Sequence, residues 1–231
     1  MKLYSYYRSS AAFRVRIALA LKNIQYDIVP IHLLNQGGEQ KSNAYTAINP
    51  QQLVPTLDDD GFVISQSLAI ILYLEDRFFD VPLLPTDAKD KAFVHSLAQI
   101  VACDMHPLNN LRVLQYLSHE LSVNDEQKQT WYAHWIVHGF DAFEQQLAKH
   151  HNTYHNTHQH QPQQNGTDIK FCFGDTPTLA DCCLIPQVYN ALRFECDLCA
   201  YPHIQSIYQH CMSLPAFIDA YPDNQPDCPK V

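Results

Sequence analysis

The chain has 231 residues, 46% of them hydrophobic and 17% charged, with a formal net charge of −9. That balance excludes a disordered chain and a coiled coil, and supports one sizeable domain or two small ones. The acidic excess argues against general affinity for nucleic acid or anionic lipid, and no apolar run approaches the roughly 20 residues that span a bilayer. Met1-Lys2-Leu3-Tyr4-Ser5-Tyr6-Tyr7-Arg8 has no apolar secretory core, so the expectation is a soluble cytoplasmic protein with no nucleic-acid or membrane partner.

Charge and cysteine are unevenly spread. Residues 1–80 carry a net charge of −1 and the remainder −8. Arg8, Arg14 and Arg16 cluster near the N-terminus, where a local cationic site is expected inside an acidic molecule. All eight cysteines lie beyond residue 100, from Cys103 to Cys228. The chain is too long and too rich in core residues for a disulfide scaffold, so reduced, mostly buried thiols are expected.

In chain order, residues 2–7 read as a strand, and Ser9 or Ser10 as the cap of a helix over 13–22. That helix is apolar on two faces and is expected between a sheet and another layer. Residues 26–32 read as a second strand, followed by a polar loop through Gly37-Gly38. Two short apolar runs flanking Asp60-Gly61 read as a hairpin, and Ser65 or Ser67 caps a helix over 68–78. The order βαβ…ββα is that of a thioredoxin-like domain over residues 1–81. Pro82 and Pro85 mark a linker. Residues 87–231 read as an all-helical domain, with helices over 87–101, 108–121, 125–149, 179–192 and 201–212. Thr178-Leu179-Ala180-Asp181 is a capping box. The His-rich, Gln-rich stretch over 149–170 reads as a flexible loop.

Three features carry chemistry. Ser9 and Ser10 stand where a strand hands over to a helix, so free N–H groups and the helix dipole favour an anion there, with Arg8 beside them. A hydroxyl donor at that point stabilises a thiolate. Val54-Pro55, if cis, turns the Val54 backbone outward toward a peptide-like ligand. Gln66-Ser67 opens a helix and offers an amide, a hydroxyl and free N–H groups to a carboxylate. Together these describe a site for a short anionic peptide. A rival reading joins Cys196-Asp197-Leu198-Cys199 to His203, His210 or Cys211 as a zinc site, but the second half lacks the expected spacing, so no metal is expected.

Arg8-Ser9-Ser10…Arg14-Val15-Arg16-Ile17-Ala18-Leu19, Asn49-Pro50-Gln51-Gln52-Leu53-Val54-Pro55-Thr56-Leu57 and Gln66-Ser67-Leu68-Ala69-Ile70-Ile71 resemble the zeta-class glutathione transferases. Asp104-Met105-His106-Pro107-Leu108-Asn109-Asn110 and Gly174-Asp175-Thr176-Pro177-Thr178-Leu179-Ala180-Asp181 extend the resemblance through the second half. It implies the glutathione transferase fold: a thioredoxin-like α/β N-terminal domain, an all-α C-terminal domain, and a homodimer. It also implies glutathione as cofactor, with Ser9 donating to its sulfur and Ser10 supporting the helix start. Val54, before a cis-Pro55, would pair with the cysteinyl backbone, and Gln66 and Ser67 would hold the γ-glutamyl end. His32, Gln52, Asp104, His106 and Asn110 would surround the tripeptide.

The activity implied is cis–trans isomerisation of a maleyl keto-dicarboxylate, maleylacetoacetate to fumarylacetoacetate in aromatic amino acid breakdown. The alternatives are maleylpyruvate as substrate, a general transferase, and a non-catalytic glutathione binder. Reversible thiolate addition needs groups that hold carboxylates and an enolate, for which Arg8, Arg112 and Arg193 are the candidates. Many relatives carry a cysteine after the paired serines; here Ala11 and Ala12 follow them, so no protein thiol is expected at the site.

Overall fold

A computed structural model describes residues 1–158, the last seven by backbone alone, and residues 169–230. The chain forms two compact units: Met1–Leu84 with Met212–Val231, and Pro85–Cys211. The first contains β1 (Lys2–Ser5), α1 (Ser10–Leu21), β2 (Asp27–Pro30), α2 (Asn43–Ile48), β3 (Thr56–Asp59), β4 (Phe62–Ser65) and α3 (Ser67–Arg77). The sheet order is β2-β1-β3-β4, with β1 parallel to β2 and the other neighbours antiparallel. The parallel pair is joined through α1, as a βαβ crossover requires. Asp60 and Gly61 both take positive φ, 53° and 93°, which closes the β3–β4 hairpin with a two-residue turn twisted to suit its strands.

Register decides where the loops go. Ser5 pairs with Pro30, Tyr4 with Thr56, and Thr56 with Ser65. The chain therefore leaves β1, β2 and β4, and enters β3, at one common end of the sheet. Residues 6–9, 31–35, 51–55 and 66–67 all emerge there.

Helix α1 is buried on nearly every side, as its two apolar faces predict. It packs against α3 and also against α9 (Pro215–Ala220). The C-terminal twenty residues thus cover the first unit, although the sequence reading groups them with the helical domain. Phe217 is fully buried there, and Tyr221 meets Phe13 edge-on at 6.1 Å. Lys22 closes the unit from inside: its ammonium lies 2.8 Å from Glu75 and donates to the carbonyls of Phe78 and Val81. Glu75 in turn accepts from the Leu83 and Leu84 amides, which pins the proline-marked linker. Within the stretch read as a polar loop, Ser42 caps α2 by accepting from Tyr45 N.

The second unit holds α4 (Ala88–Gln99), a π-helical turn (Ile100–Met105), α5 (Leu111–His119), α6 (Asp125–His158), α7 (Leu179–Arg193) and α8 (Pro202–Cys211). Helix α6 runs nine residues past its expected end, so the flexible loop expected over 149–170 is helical as far as His158. Between Gly139 and Pro162 neither proline nor glycine interrupts the chain, and histidine, asparagine and glutamine tolerate a helix. Residues 159–168 of that expected loop lie outside the described residues. Gly139 on α6 lets the π-helical turn come close, since a Cβ there would strike the Met105 side chain. Among the described residues, no helix is long and apolar enough to cross a membrane.

Helix α7 is the core of this unit, and its start is the expected capping box. The fully buried Asp181 accepts from Cys172 N, Thr178 N and Thr178 Oγ1 at 2.7–2.8 Å. Asp181→Ala leaves two buried N–H donors unpaired, and is expected to lower the unfolding free energy by about 3 kcal/mol, read by urea denaturation.

Candidate functional site

Residues 6–9 form a turn closed by Ser9 N donating to Tyr6 O at 2.9 Å. Ser9, extended at φ −70° and ψ 117°, is the N-cap of α1 and accepts from Ala12 N at 3.2 Å. A serine hydroxyl has one donor and two acceptor positions. Capping uses the acceptor side, so the O–H of this half-buried residue is still available to a ligand. The cap and the chemical role are compatible. Ser10, the first residue of the helix, is buried behind it.

Of the three clustered arginines, only Arg8 belongs to this surface. It donates to Tyr6 Oη at 3.1 Å and stands 5.1 Å over the Tyr7 ring. Arg14 and Arg16 are buried, so the cationic site expected from all three reduces to Arg8. Helical spacing turns the other two inward. Arg14 donates to Ser67 Oγ at 3.3 Å, linking the starts of α1 and α3. Arg16 donates to Tyr6 O, Tyr7 O, Ser5 Oγ and Ala220 O.

Val54 sits beside this turn, in one buried cluster with Tyr6, Tyr7 and Tyr45. The Val54–Pro55 bond is cis. The β1–β3 ladder begins at Thr56, so the Val54 N–H and C=O lie outside it. Two residues that sequence reading missed shape this loop. Tyr45 Oη donates to Leu53 O at 2.7 Å and lies 2.9 Å from Thr56 Oγ1. The buried Asn49 donates to the same two acceptors and accepts from Gln51 N at 3.0 Å. Ser42 and the aromatic at 45 were the available signals, hidden in a stretch that reads as polar loop.

Gln66 donates to Gln51 Oε1 at 2.8 Å, tying the start of α3 to the same loop. Its backbone takes φ 73°, an uncommon conformation for a residue with a side chain, and such outliers cluster at ligand sites. Ser67, buried, begins α3. Gln52, also at positive φ, donates to Thr46 Oγ1 at 3.1 Å. His32 meets Tyr6 edge-on at 4.9 Å. Its Nδ1 accepts from Leu34 N and Asn35 N, so the proton of the neutral ring is on Nε2. Ser9, Ser10, His32, Gln52, Val54, Gln66 and Ser67 therefore share one end of the sheet.

Asp104, His106, Asn110, Arg112 and Arg193 belong to the second unit. Asp104 is exposed on the π-helical turn, and His106 ends it, its N–H donating to Val101 O. Such turns are rare and concentrate at functional sites. Asn110 caps α5 by accepting from the backbone of Arg112, whose side chain is exposed. Tyr132 on α6 joins this region to the end of α7: its carbonyl takes the Asn109 amide, and its ring stacks on Phe194 at 3.8 Å. Arg193 stands 4.5 Å over the other partner of that stack, Phe194.

Electrostatically, Tyr7 and Tyr45 are held neutral. Burial raises Tyr45 above its ordinary value, and burial with the neighbouring Tyr6 raises Tyr7. One cysteine does reach the site, because the C-terminal segment returns: Cys228 packs on the cluster of Tyr6, Tyr7 and Val54. Burial, with Asp223 and Asp227 nearby, raises its pKa and keeps it a thiol rather than a thiolate. Among the described residues, no group of three or more His, Cys, Asp or Glu is placed to hold a metal ion.

Loops meeting at one sheet end, with two helix starts and a peptide edge outside the ladder, suit an extended anionic peptide that brings its own thiol. Residues 8–77 match the family model for the glutathione S-transferase N-terminal domain. The chain is 44% identical to a probable maleylacetoacetate isomerase of Vibrio cholerae, over 97% of both chains. The chain belongs to the zeta class of glutathione transferases. It matches the holo structure of a maleylpyruvate isomerase, described as a bacterial zeta-class glutathione S-transferase, with TM-score 0.88 and 43% identity over 99% of this chain and 100% of that one. It also matches a maleylacetoacetate isomerase of Methylobacterium extorquens solved with malonate and glutathione, with TM-score 0.86 and 37% identity over the full length of both. The zeta-class fold accounts for the four loops meeting at one sheet end.

Asn49→Ala removes two donors and an acceptor from the loop that carries Val54. It is expected to cost about 2 kcal/mol of stability in urea and to speed hydrogen exchange at the Gln51 amide.

Proposed function

We propose that this chain is a glutathione-dependent cis–trans isomerase of maleylacetoacetate. The observation that carries the reading is the Ser9 hydroxyl, engaged as a cap only through its acceptor side and standing at a helix N-terminus. The residues fit glutathione: this sheet end has donors for a thiolate, and Val54 backbone groups outside the ladder for a cysteinyl peptide. It also has a helix start at Ser67 for a carboxylate, and no competing protein thiolate. When bound, glutathione supplies the thiolate that adds reversibly to the double bond so that it can rotate.

The chain's own groups do the rest. Ser9 O–H donates to the sulfur and holds it ionised. Ser10 buries the first turn of α1 behind it, and Val54 pairs with the cysteinyl backbone. Gln66, Ser67, His32 and Gln52 hold the two ends of the tripeptide, and for Asp104, His106 and Asn110 a glutathione role rests on the zeta-class resemblance alone. Arg8, Arg112 and Arg193 take the substrate carboxylates and the enolate charge, for which a guanidinium has the matching geometry. Maleylpyruvate is the second reading, favoured by the match to a maleylpyruvate isomerase structure. The eight unbridged thiols and the thiol co-substrate fit a cytoplasmic enzyme.

With Tyr7 and Tyr45 kept neutral, kcat/KM is expected to rise with pH through one ionisation, that of the bound thiol. Its pKa should lie below the ordinary thiol value of about 8.5. Ser9→Ala should raise that midpoint by about one unit and lower kcat/KM about tenfold, measured with maleylacetoacetate in a pH series. An unchanged profile removes Ser9 from the scheme. Side-by-side kcat/KM values should favour maleylacetoacetate; a preference for maleylpyruvate makes the second reading the right one. The enzyme is expected to be a homodimer, giving twice the 26.5 kDa chain mass by light scattering.

A further inference from the structure

Two side chains from beyond the turn that delivers Ser9 bond to its backbone. From within, Arg16 reaches Tyr7 O at 2.9 Å and Tyr6 O at 3.4 Å. From without, Asp227 Oδ2 accepts from Tyr7 N at 2.8 Å, across 220 residues of sequence. Arg16 also holds the segment that carries Asp227, since its Nε donates to Ala220 O at 3.0 Å. Gln225 locks that segment by donating to Asp219 O and Tyr221 O, and Cys228 N donates back to Gln225 O. The next residue, Cys228, packs on Tyr6, Tyr7 and Val54. The segment therefore touches both sides of the proposed thiol groove, the Ser9 turn and the Val54 loop.

We infer that Asp227 is a positioning residue for the bound thiol: its carboxylate fixes the Tyr7 peptide, and thereby the direction of the Ser9 hydroxyl. This rests on the proposed role of Ser9. A carboxylate accepting from a backbone N–H makes a stronger bond than a neutral acceptor, and it fixes the orientation of one peptide plane. The turn closes through Tyr6 O and Ser9 N, so a tilt of the Tyr7 peptide carries the cap residue with it. Arg8, between Tyr7 and Ser9, shares the displacement. Asp227 touches neither glutathione nor substrate; it acts through the turn.

The test compares Asp227→Ala, Asp227→Asn and Ser9→Ala in the full-length enzyme. Three readouts are taken: the ultraviolet titration of bound glutathione thiolate, hydrogen exchange at the Tyr7 and Ser9 amides without glutathione, and steady-state kinetics. Asp227→Ala should raise the thiolate midpoint by about half a unit, and lower kcat about threefold with substrate KM within about twofold. Exchange at the two amides should quicken at least about tenfold, while thermal unfolding confirms the fold. Asp227→Asn keeps an acceptor and should restore most of the titration and the exchange protection. An unmoved midpoint in Asp227→Ala alongside a shifted one in Ser9→Ala overturns the inference and leaves the Ser9 reading intact. No shift in Ser9→Ala overturns the reading itself, and the inference with it. Equal behaviour of Asp227→Asn and Asp227→Ala also overturns the inference, since bare charge near Arg8 would then explain the effect.

Discussion

The buried guanidinium of Arg16 is the constraint on which the site depends. It lies in the middle of α1 with no solvent exposure, and its donors reach β1, the turn after β1 and the end of α9. A buried charge is tolerated only when its hydrogen bonds are satisfied, so these acceptors must stand where the planar fork can reach them. One side chain therefore fixes the strand end, the Ser9 turn and the returning C-terminal segment together. Sheet register brings the other three loops to the same end, and Tyr45 with Asn49 holds the one that carries Val54.

In the proposed reading, the protein side chains of the site stabilise and orient rather than attack. In that reading Ser9 acts as a donor, while Tyr7 and Tyr45 are held neutral and the nearby Cys228 is held as a thiol. A reactive sulfur that arrives with glutathione can be stabilised at the helix start without a protein nucleophile competing for the substrate. The acidic charge of the chain does not oppose anionic ligands, because Arg8 and the α1 and α3 starts act over short range, where bulk charge is screened.

Much of this was legible in the sequence because it is local. The βαβ order, the hairpin at Asp60-Gly61, the cap at Ser9, the Thr178–Asp181 box and the helix start at Gln66-Ser67 depend on neighbours within a few residues. What escaped depends on distant contacts. Arg14 and Arg16 read as cations beside Arg8, and only the packing of α1 shows them facing inward. Tyr45 and Asn49 sit in a short helix with little periodicity. The return of residues 212–231 to the first unit, which places Asp227 and Cys228 at the groove, leaves no local mark at all. The length of α6 escaped for another reason: polar composition reads as loop even where nothing breaks the helix.

The most direct measurement is a crystal structure of the enzyme with glutathione bound. The account predicts the sulfur within hydrogen-bonding distance of Ser9 Oγ, the cysteinyl N–H and C=O paired with the Val54 backbone, and the γ-glutamyl carboxylate at the start of α3. A sulfur directed away from Ser9, or a tripeptide bound without the Val54 backbone, would contradict it.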